Sequence, residues 1–417
     1  MMNLKNGILV GVTLLGSLSV SAKNKEVTGK YERSSLAVML LETSNFKNKA
    51  LVVKDFSEAP FPEKYNNHNI GISSIDPTQF NVAKGDKGVS KEPVDLVFPD
   101  RKNDIPTIEA FLKKEDVAKK MVAKWFDRQA NGAFDVNLVS ERGLYNATIL
   151  EKAVAENSAR GVAALQDAGE NLIPKTFLVV SKMNFVENST IAAVAYAAAK
   201  TKAAKITNPI AKKSALMAAE AAFNKMKEGY SVWTVSYLYQ LNWNEEVAQT
   251  FYSKYWMDGS NLSAEKKAAF DHSNLFSMKY VGNTYVSSLV TFSLKDRSKE
   301  ETIQLATVRN IDKIYAKLQK EYDAFQVMTP LLTVKPCTAK IGMKEGLTGK
   351  EKFQVLEQIV DEATGKVHYK VKGTISLNKS KIWDNRYQLA ENKEELDATY
   401  FKGGKKFYPG MLLKQIK

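Results

Sequence analysis

The 417-residue chain is 44% hydrophobic, 10% aromatic and 25% charged, the balance of a globular protein and not of a disordered or collagenous one. Sixty basic residues against 46 acidic ones leave a net charge of +14, which points to anionic partners such as outer-membrane lipid, acidic glycan or an acidic protein. The lysines are scattered in ones and twos, with no recognition helix or RNA-binding signature beside them, so nucleic acid is not expected.

Residues 1–22 read as a secretory signal peptide: Lys5 supplies the positive start, Gly7 to Val20 form an apolar run, and Val20-Ser21-Ala22 is the small-residue cleavage pattern. The run is shorter than the roughly 20 residues of a spanning helix, so cleavage and export to the periplasm or outer membrane are expected. No Cys stands at the cleavage position, which argues against lipid anchoring there. Cys337 is the only cysteine, so no intramolecular disulfide forms and a large core must supply stability. It is read as a small buried hydrophobe in a strand, not a nucleophile.

Residues 23–104 read as amino-terminal strands and an irregular leader. The apolar runs 36–41 and 50–53 are expected as buried strands, and Pro60, Pro62, Pro77 and Gly85-Asp86-Lys87-Gly88 punctuate a polar stretch dominated by turns. Residues 105–330 read as an α/β domain. A helix is predicted over 115–129 from Val117, Met121, Val122 and Trp125, a half-buried strand over 134–139, a helix over 148–166 and a doubly buried strand over 175–183. An Ala-rich helical hairpin is predicted over 189–228, with Asn208 capping and Pro209 opening its second helix and Gly229 closing it. Its lysines Lys200, Lys202, Lys205, Lys212 and Lys213 gather near the turn. The hairpin is expected to pack on its own domain with a wet lysine end; seating of the tip on anionic lipid is the alternative.

Residues 231–243 alternate as the clearest strand, with Trp233, Val235, Tyr237, Tyr239, Leu241 and Trp243 on one face. Ser298 and Glu301 form a capping box for a helix whose stripe, Val308, Ile311, Tyr315, Leu318, Tyr322 and Phe325, is expected to pack across the sheet. Residues 331–417 read as a small antiparallel, barrel-like β domain, with strands over 333–341, 352–360, 366–372 and 374–377, a hairpin turn over 361–365 and a polar tail returning over it. The expected fold is therefore α+β to α/β: a mixed sheet layer with helices and a helical-hairpin insertion, followed by that small β domain.

The order of a short strand, a helix, Phe134-Asp135-Val136-Asn137-Leu138-Val139 leading to Glu141-Arg142, a second helix and a buried strand resembles a periplasmic α/β module. That module is shared by the curli-secretion lipoprotein and the amino-terminal part of the Tol-system propeller protein, and Arg142 falls where it carries an Arg after its edge strand. Gly346-Leu347-Thr348-Gly349, followed by Phe353 and Val355, is similar to the Gly-rich lead-in of the small β-barrel beside such modules in flagellar and envelope proteins. The chain as a whole resembles uncharacterised exported envelope proteins of Bacteroidota-type bacteria. The resemblance implies an envelope role. It does not imply a pore, because the lipidation Cys is missing and a helical hairpin stands where the curli protein has membrane strands.

Catalytic patterns are not found. His68, His272 and His368 lie far apart without a second ligand at zinc spacing, and no Gly-x-Ser-x-Gly elbow occurs. Gly349-Lys350 is followed by Glu351 where a phosphate loop needs Ser or Thr, and the adjacent acids Glu245/Glu246 and Asp361/Glu362 diverge on a strand. No catalytic, metal or cofactor residue is expected. Two places remain as ligand or partner contacts: the aromatic row Trp233, Tyr237, Tyr239 and Trp243, and the cluster Trp383, Asp384 and Arg386 with Asn385. The row is read first as the packed face of a sheet. The cluster is read first as a buried salt-bridged corner tying the tail to the barrel. The expected function is that of a non-enzymatic envelope scaffolding or assembly factor acting through protein contacts. A glycan or anionic-ligand binder is the alternative, and a hydrolase built from distant acids is the third reading.

Overall fold

The computed structural model describes residues 33–43, 48–80, 93–146, 169–290, 298–360, 367–388, 396–404 and 406–416. The export leader, the helix expected over 148–166 and the turn expected over 361–365 lie outside them. The first sheet contains β1 (Ser35–Leu41), β2 (Asn66–Asn67), β3 (Ser74–Ile75), β4 (Thr176–Glu187), β5 (Tyr230–Leu241) and β6 (Met278–Val290). Their order is β2-β1-β4-β5-β6, with β3 also on β1. β1 runs parallel to β2, β3 and β4, and β4-β5-β6 form an antiparallel meander.

The helices in chain order are α1 (Lys49–Ser57), α2 (Pro93–Val97), α3 (Asp104–Lys114), α4 (Val117–Trp125) and α5 (Asn137–Asn146). They continue as α6 (Asn188–Ala204), α7 (Pro209–Met226), α8 (Glu245–Thr250), α9 (Ala264–Asp271) and α10 (Lys299–Glu321). The period of two in the central strands sends Leu36, Phe177, Val179, Val232 and Leu238 to one face, where Ile303, Ile311, Ile314 and Leu318 of α10 cover them. It sends Met39, Leu178, Val180, Val235, Tyr237 and Tyr239 to the other, under Val94, Ile108, Phe111, Val117 and Met121 of α2, α3 and α4. Covered on both sides, β4 and β5 bury even their hydroxyl residues: Ser181, Thr234 and Ser236 are inside the molecule. The capping box forms as expected, with Glu301 N donating to Ser298 Oγ and Ser298 N donating to Glu301 Oε2.

Several expectations are corrected. Residues 50–53 lie in helix α1, because Val52 and Phe56, one helical turn apart, both reach the core beneath α10. Residues 134–139 are not a strand. Asp135 Oδ1 accepts from Asn137 N at 2.8 Å and starts α5, while Phe134 packs edge-on against Phe251 and Phe270. The single helix expected over 115–129 is α4 alone, preceded by α3 and a break at Asp116, whose φ of 50° is left-handed.

The second sheet closes into a barrel of β7 (Thr329–Val334), β8 (Cys337–Ala339), β9 (Lys352–Val360), β10 (Val367–Leu377), β11 (Thr399–Lys402) and β12 (Leu412–Ile416), in the order β10-β11-β8-β7-β12-β9. The tail expected to lie over the barrel instead supplies two of its staves, because Phe401 and Leu413 reach the core beside Leu331, Cys337, Phe353, Val355 and Ile375. Cys337 is buried, and desolvation pushes its thiol up to about 11. Barrel and sheet domain meet through polar contacts. Lys64 Nζ lies 3.1 Å from Glu345, Arg309 Nε donates to Tyr387 O at 3.1 Å, and Gln326 Nε2 donates to Gln415 O at 2.9 Å.

Between β4 and β5 the chain leaves the sheet as the α6–α7 hairpin. Asn208 Oδ1 accepts from Ile210 N and Ala211 N, and Pro209 takes the first helical position, as expected. The expected packing on the domain is not found among the described residues. Helix α7 has no buried residue; Ala192 and Ala203 of α6 are buried, and Tyr196 meets Phe223 across the pair. Alanine faces let the two helices pack on each other, and the larger side chains Val194, Ile210 and Met217 stay exposed.

Candidate protein-contact site

The aromatic row lies inside the protein. Tyr237 and Tyr239 are fully buried beneath α2 to α4, whereas α10 covers the opposite face of β5. Tyr237 Oη donates to Asp104 Oδ2 at 2.6 Å, and Lys182 Nζ, itself buried, donates to Asp104 Oδ1 at 2.7 Å and to Asp100 Oδ1 at 3.0 Å. Burial raises the Asp104 carboxyl above its ordinary range and the Lys182 ammonium opposes it; burial and Asp104 together raise the Tyr237 phenol. Trp233 is half-buried against Tyr285, and Trp243 stacks on Phe276 in an aromatic cluster with Phe126 and Phe251. Among the described residues the row leaves no open groove of rings for a sugar.

The Trp383 cluster is at the surface. Arg386 is exposed and clasps Asp384, two residues away, at 2.7 Å and 2.5 Å, so the expected salt bridge is local and solvated. The tie to the barrel domain is made by its neighbours: Trp383 O accepts from Met343 N, Asn385 Oδ1 accepts from Lys344 N, and Asn385 Nδ2 donates to Glu345. Arg142 is buried at the start of the parallel strands. It donates to Ser35 Oγ at 2.7 Å, His68 Nδ1 at 3.0 Å and Asn67 O at 3.1 Å, with its guanidinium 4.3 Å from the Trp125 ring centroid. Burial pushes the Arg142 guanidinium down to about 10, and burial with the Arg142 charge holds His68 neutral, so its Nε2 donates to Met121 O at 2.9 Å. This is a packed corner that joins β1, α4 and α5. Among the described residues no group of three or more His, Cys, Asp or Glu is arranged to hold a metal.

The sequence reading missed a ribbon. β9 and β10 are 9 and 11 residues long, against 6, 3, 4 and 5 for the other staves. β9 pairs with β12 only up to Leu356, and β10 pairs with β11 only at Ser376 and Leu377. Beyond those points the two strands pair with each other, from Val371↔Leu356 through Tyr369↔Gln358 to Val367↔Val360. The ribbon has outgrown the barrel, and its apolar side chains meet water on both faces, Ile359 on one and Val371 and Tyr369 on the other: Val371 is 53% exposed, Ile359 41% and Tyr369 38%. Lys372 Nζ and Tyr408 Oη both bind Glu357, bracing its base. The unequal strand lengths were the signal that could have revealed it.

An opening of about 720 Å³ lies at another part of the barrel, lined in part by Lys335, Asn378, Lys381 and Tyr400. Lys381 Nζ sits 4.7 Å from the Tyr400 ring centroid. No helix among the described residues is long and apolar enough to cross a membrane. No family model and no curated protein matches this chain.

Proposed function

We propose that the protein is an exported cell-envelope scaffolding or assembly factor that works without catalysis, through protein contacts. The observation that supports this reading is the β9–β10 ribbon, which among the described residues carries two open strand edges and three exposed apolar side chains. Unpaired edges accept an added strand from a partner, main chain to main chain, and alternate side chains then select it. Lys370 on the ribbon favours an acidic partner segment and discourages ribbon-to-ribbon stacking. Export rests on the leader, residues 1–22.

The test is cross-linking and affinity capture from fractionated envelopes with the wild type and with Val371→Asp/Tyr369→Ser. One partner retained by the wild type and lost by the variant, with the barrel still folded, is the expected result. A protein recovered wholly from the soluble fraction with no ribbon-dependent partner would sink the reading. A glycan or anionic-ligand binder is the second reading, supported by the opening at Lys335, Lys381 and Tyr400. Titration with acidic oligosaccharides, followed by Lys381→Gln, separates it from the first.

A further inference from the structure

The α6–α7 arm carries five lysines near its turn, Lys200, Lys202, Lys205, Lys212 and Lys213, with Lys225 and Lys227 back at its root, and no acidic residue lies between Glu187 and Glu220. All five fall in the last two turns of α6, at its C-cap or in the first two turns of α7, so the charge is gathered at the tip. Among the described residues none of the five is held in an ion pair; Lys200 rests over the Tyr196 ring, 5.3 Å from its centroid. Lysines at the end of α6 suit the negative end of that helix. Lys212 and Lys213 do not suit α7, because they stand near its positive end, and its first turn contains no acid. Helix stability therefore does not account for them.

Ile210 stands among these lysines and is 80% exposed, beside the half-buried Ile206. Away from the tip, the arm's exposed large apolar side chains among the described residues are Val194 and Met217, which make no continuous stripe for a protein groove. An apolar point ringed by flexible cations fits a bilayer surface: the isoleucine enters the headgroup boundary while lysine stems lie along it and their ammonium groups meet phosphate. We propose that the tip of the α6–α7 arm docks end-on upon an anionic lipid bilayer. This does not depend on the ribbon or on its partner.

The experiment is co-sedimentation of the full chain, recovered from the soluble fraction, with phosphatidylglycerol–phosphatidylcholine vesicles and with phosphatidylcholine vesicles alone. Binding to the anionic vesicles that fades with added salt is expected. Replacing all five tip lysines by Gln lowers partitioning by about a hundredfold or more, since each surface cation near an anionic membrane is worth about fivefold. Arginine at the same five positions restores binding, and Ile210→Ser weakens it several-fold. A matched control replaces the exposed Lys113, Lys254, Lys320, Lys350 and Lys402 by Gln and keeps most of the binding, which separates the tip from overall charge. Equal loss in both quintuple variants overturns the proposal. So does equal binding to neutral vesicles, or a concentration-dependent dimer abolished by Ile210→Ser in a chain that binds no vesicle.

Discussion

The β4–β5 strand pair and the α6–α7 arm are one continuous stretch of chain, yet they solve opposite problems. The strands are covered on both faces, so most polar groups they carry find a partner inside: Ser181 pairs with Ser236 at 2.7 Å, and Lys182 sits between Asp100 and Asp104, whereas Thr234 Oγ1 and Tyr239 Oη are buried without a hydrogen-bond partner among the described residues. The arm leaves the sheet and meets water along most of its surface, so its lysines need no partner and its alanines need only each other. Burial, not composition, decides which residues are energetically committed. A charge in the sheet is a structural part, whereas a charge on the arm is available to a ligand.

The largest test of that contrast is Lys182→Ala, which leaves Asp104 buried without its cation. It should cost about 3–5 kcal/mol in urea unfolding, and a loss under about 1 kcal/mol would show the network to be dispensable. Asp312 of α10 tests a buried charge with a poorer partner, as Lys344 is 3.9 Å away. Burial pushes its carboxyl from 3.8 up to about 7. A raised acid favours the protonated folded form, so this group's contribution is lost as pH rises from about 4 through 7. Asp312→Asn should therefore match the wild type near pH 4 and exceed it by about 4 kcal/mol at pH 8, read from paired unfolding curves.

The other side of the comparison predicts small or local effects. Asn208→Ala removes a cap worth about 1 kcal/mol. Amide exchange should quicken about fivefold in the arm while β4 and β5 are unchanged; faster exchange in both would mean the two regions unfold together. Met217→Ser, on the exposed flank of α7, should shift global stability by no more than about 0.5 kcal/mol. A larger drop would mean that this flank has a packing partner.

Local signals were readable in the sequence where a few adjacent residues settle the outcome. Asn208-Pro209, the Ser298/Glu301 box and the alternation of β5 all stand as the residues suggest. The run at 50–53 was ambiguous because four apolar residues fit either period, and only Phe56 reaching the same core as Val52 decides for a helix. Residues 134–139 alternate like a strand, but the Asp135 side chain turns the backbone into α5. β11 and β12 were hidden because short, lysine-bearing strands owe their form to partners far away, such as Cys337 for Phe401 and Val355 for Leu413. The aromatic row of Trp233, Tyr237, Tyr239 and Trp243 was visible as a row; its cover comes from the expected helix α4 together with α2 and α3, for which no helix was expected. Of the candidate contacts, only the Trp383 cluster lies at the surface, and its salt bridge binds only itself.

At the root of the arm, Asn188 N donates to Gly229 O, Ser231 Oγ donates to the Asn188 side chain, and Gly229 turns with a φ of 108°. The two ends of the excursion are thus sewn together at the rim of the sheet, and beyond that seam the helices lean chiefly on each other. Such an insertion behaves like a boom: at about 1.5 Å per residue its 17-residue first helix reaches about 25 Å outward. Lengthening or shortening both helices together would change that standoff without disturbing the hull, so whatever the tip moors to can be set nearer or farther by simple indels.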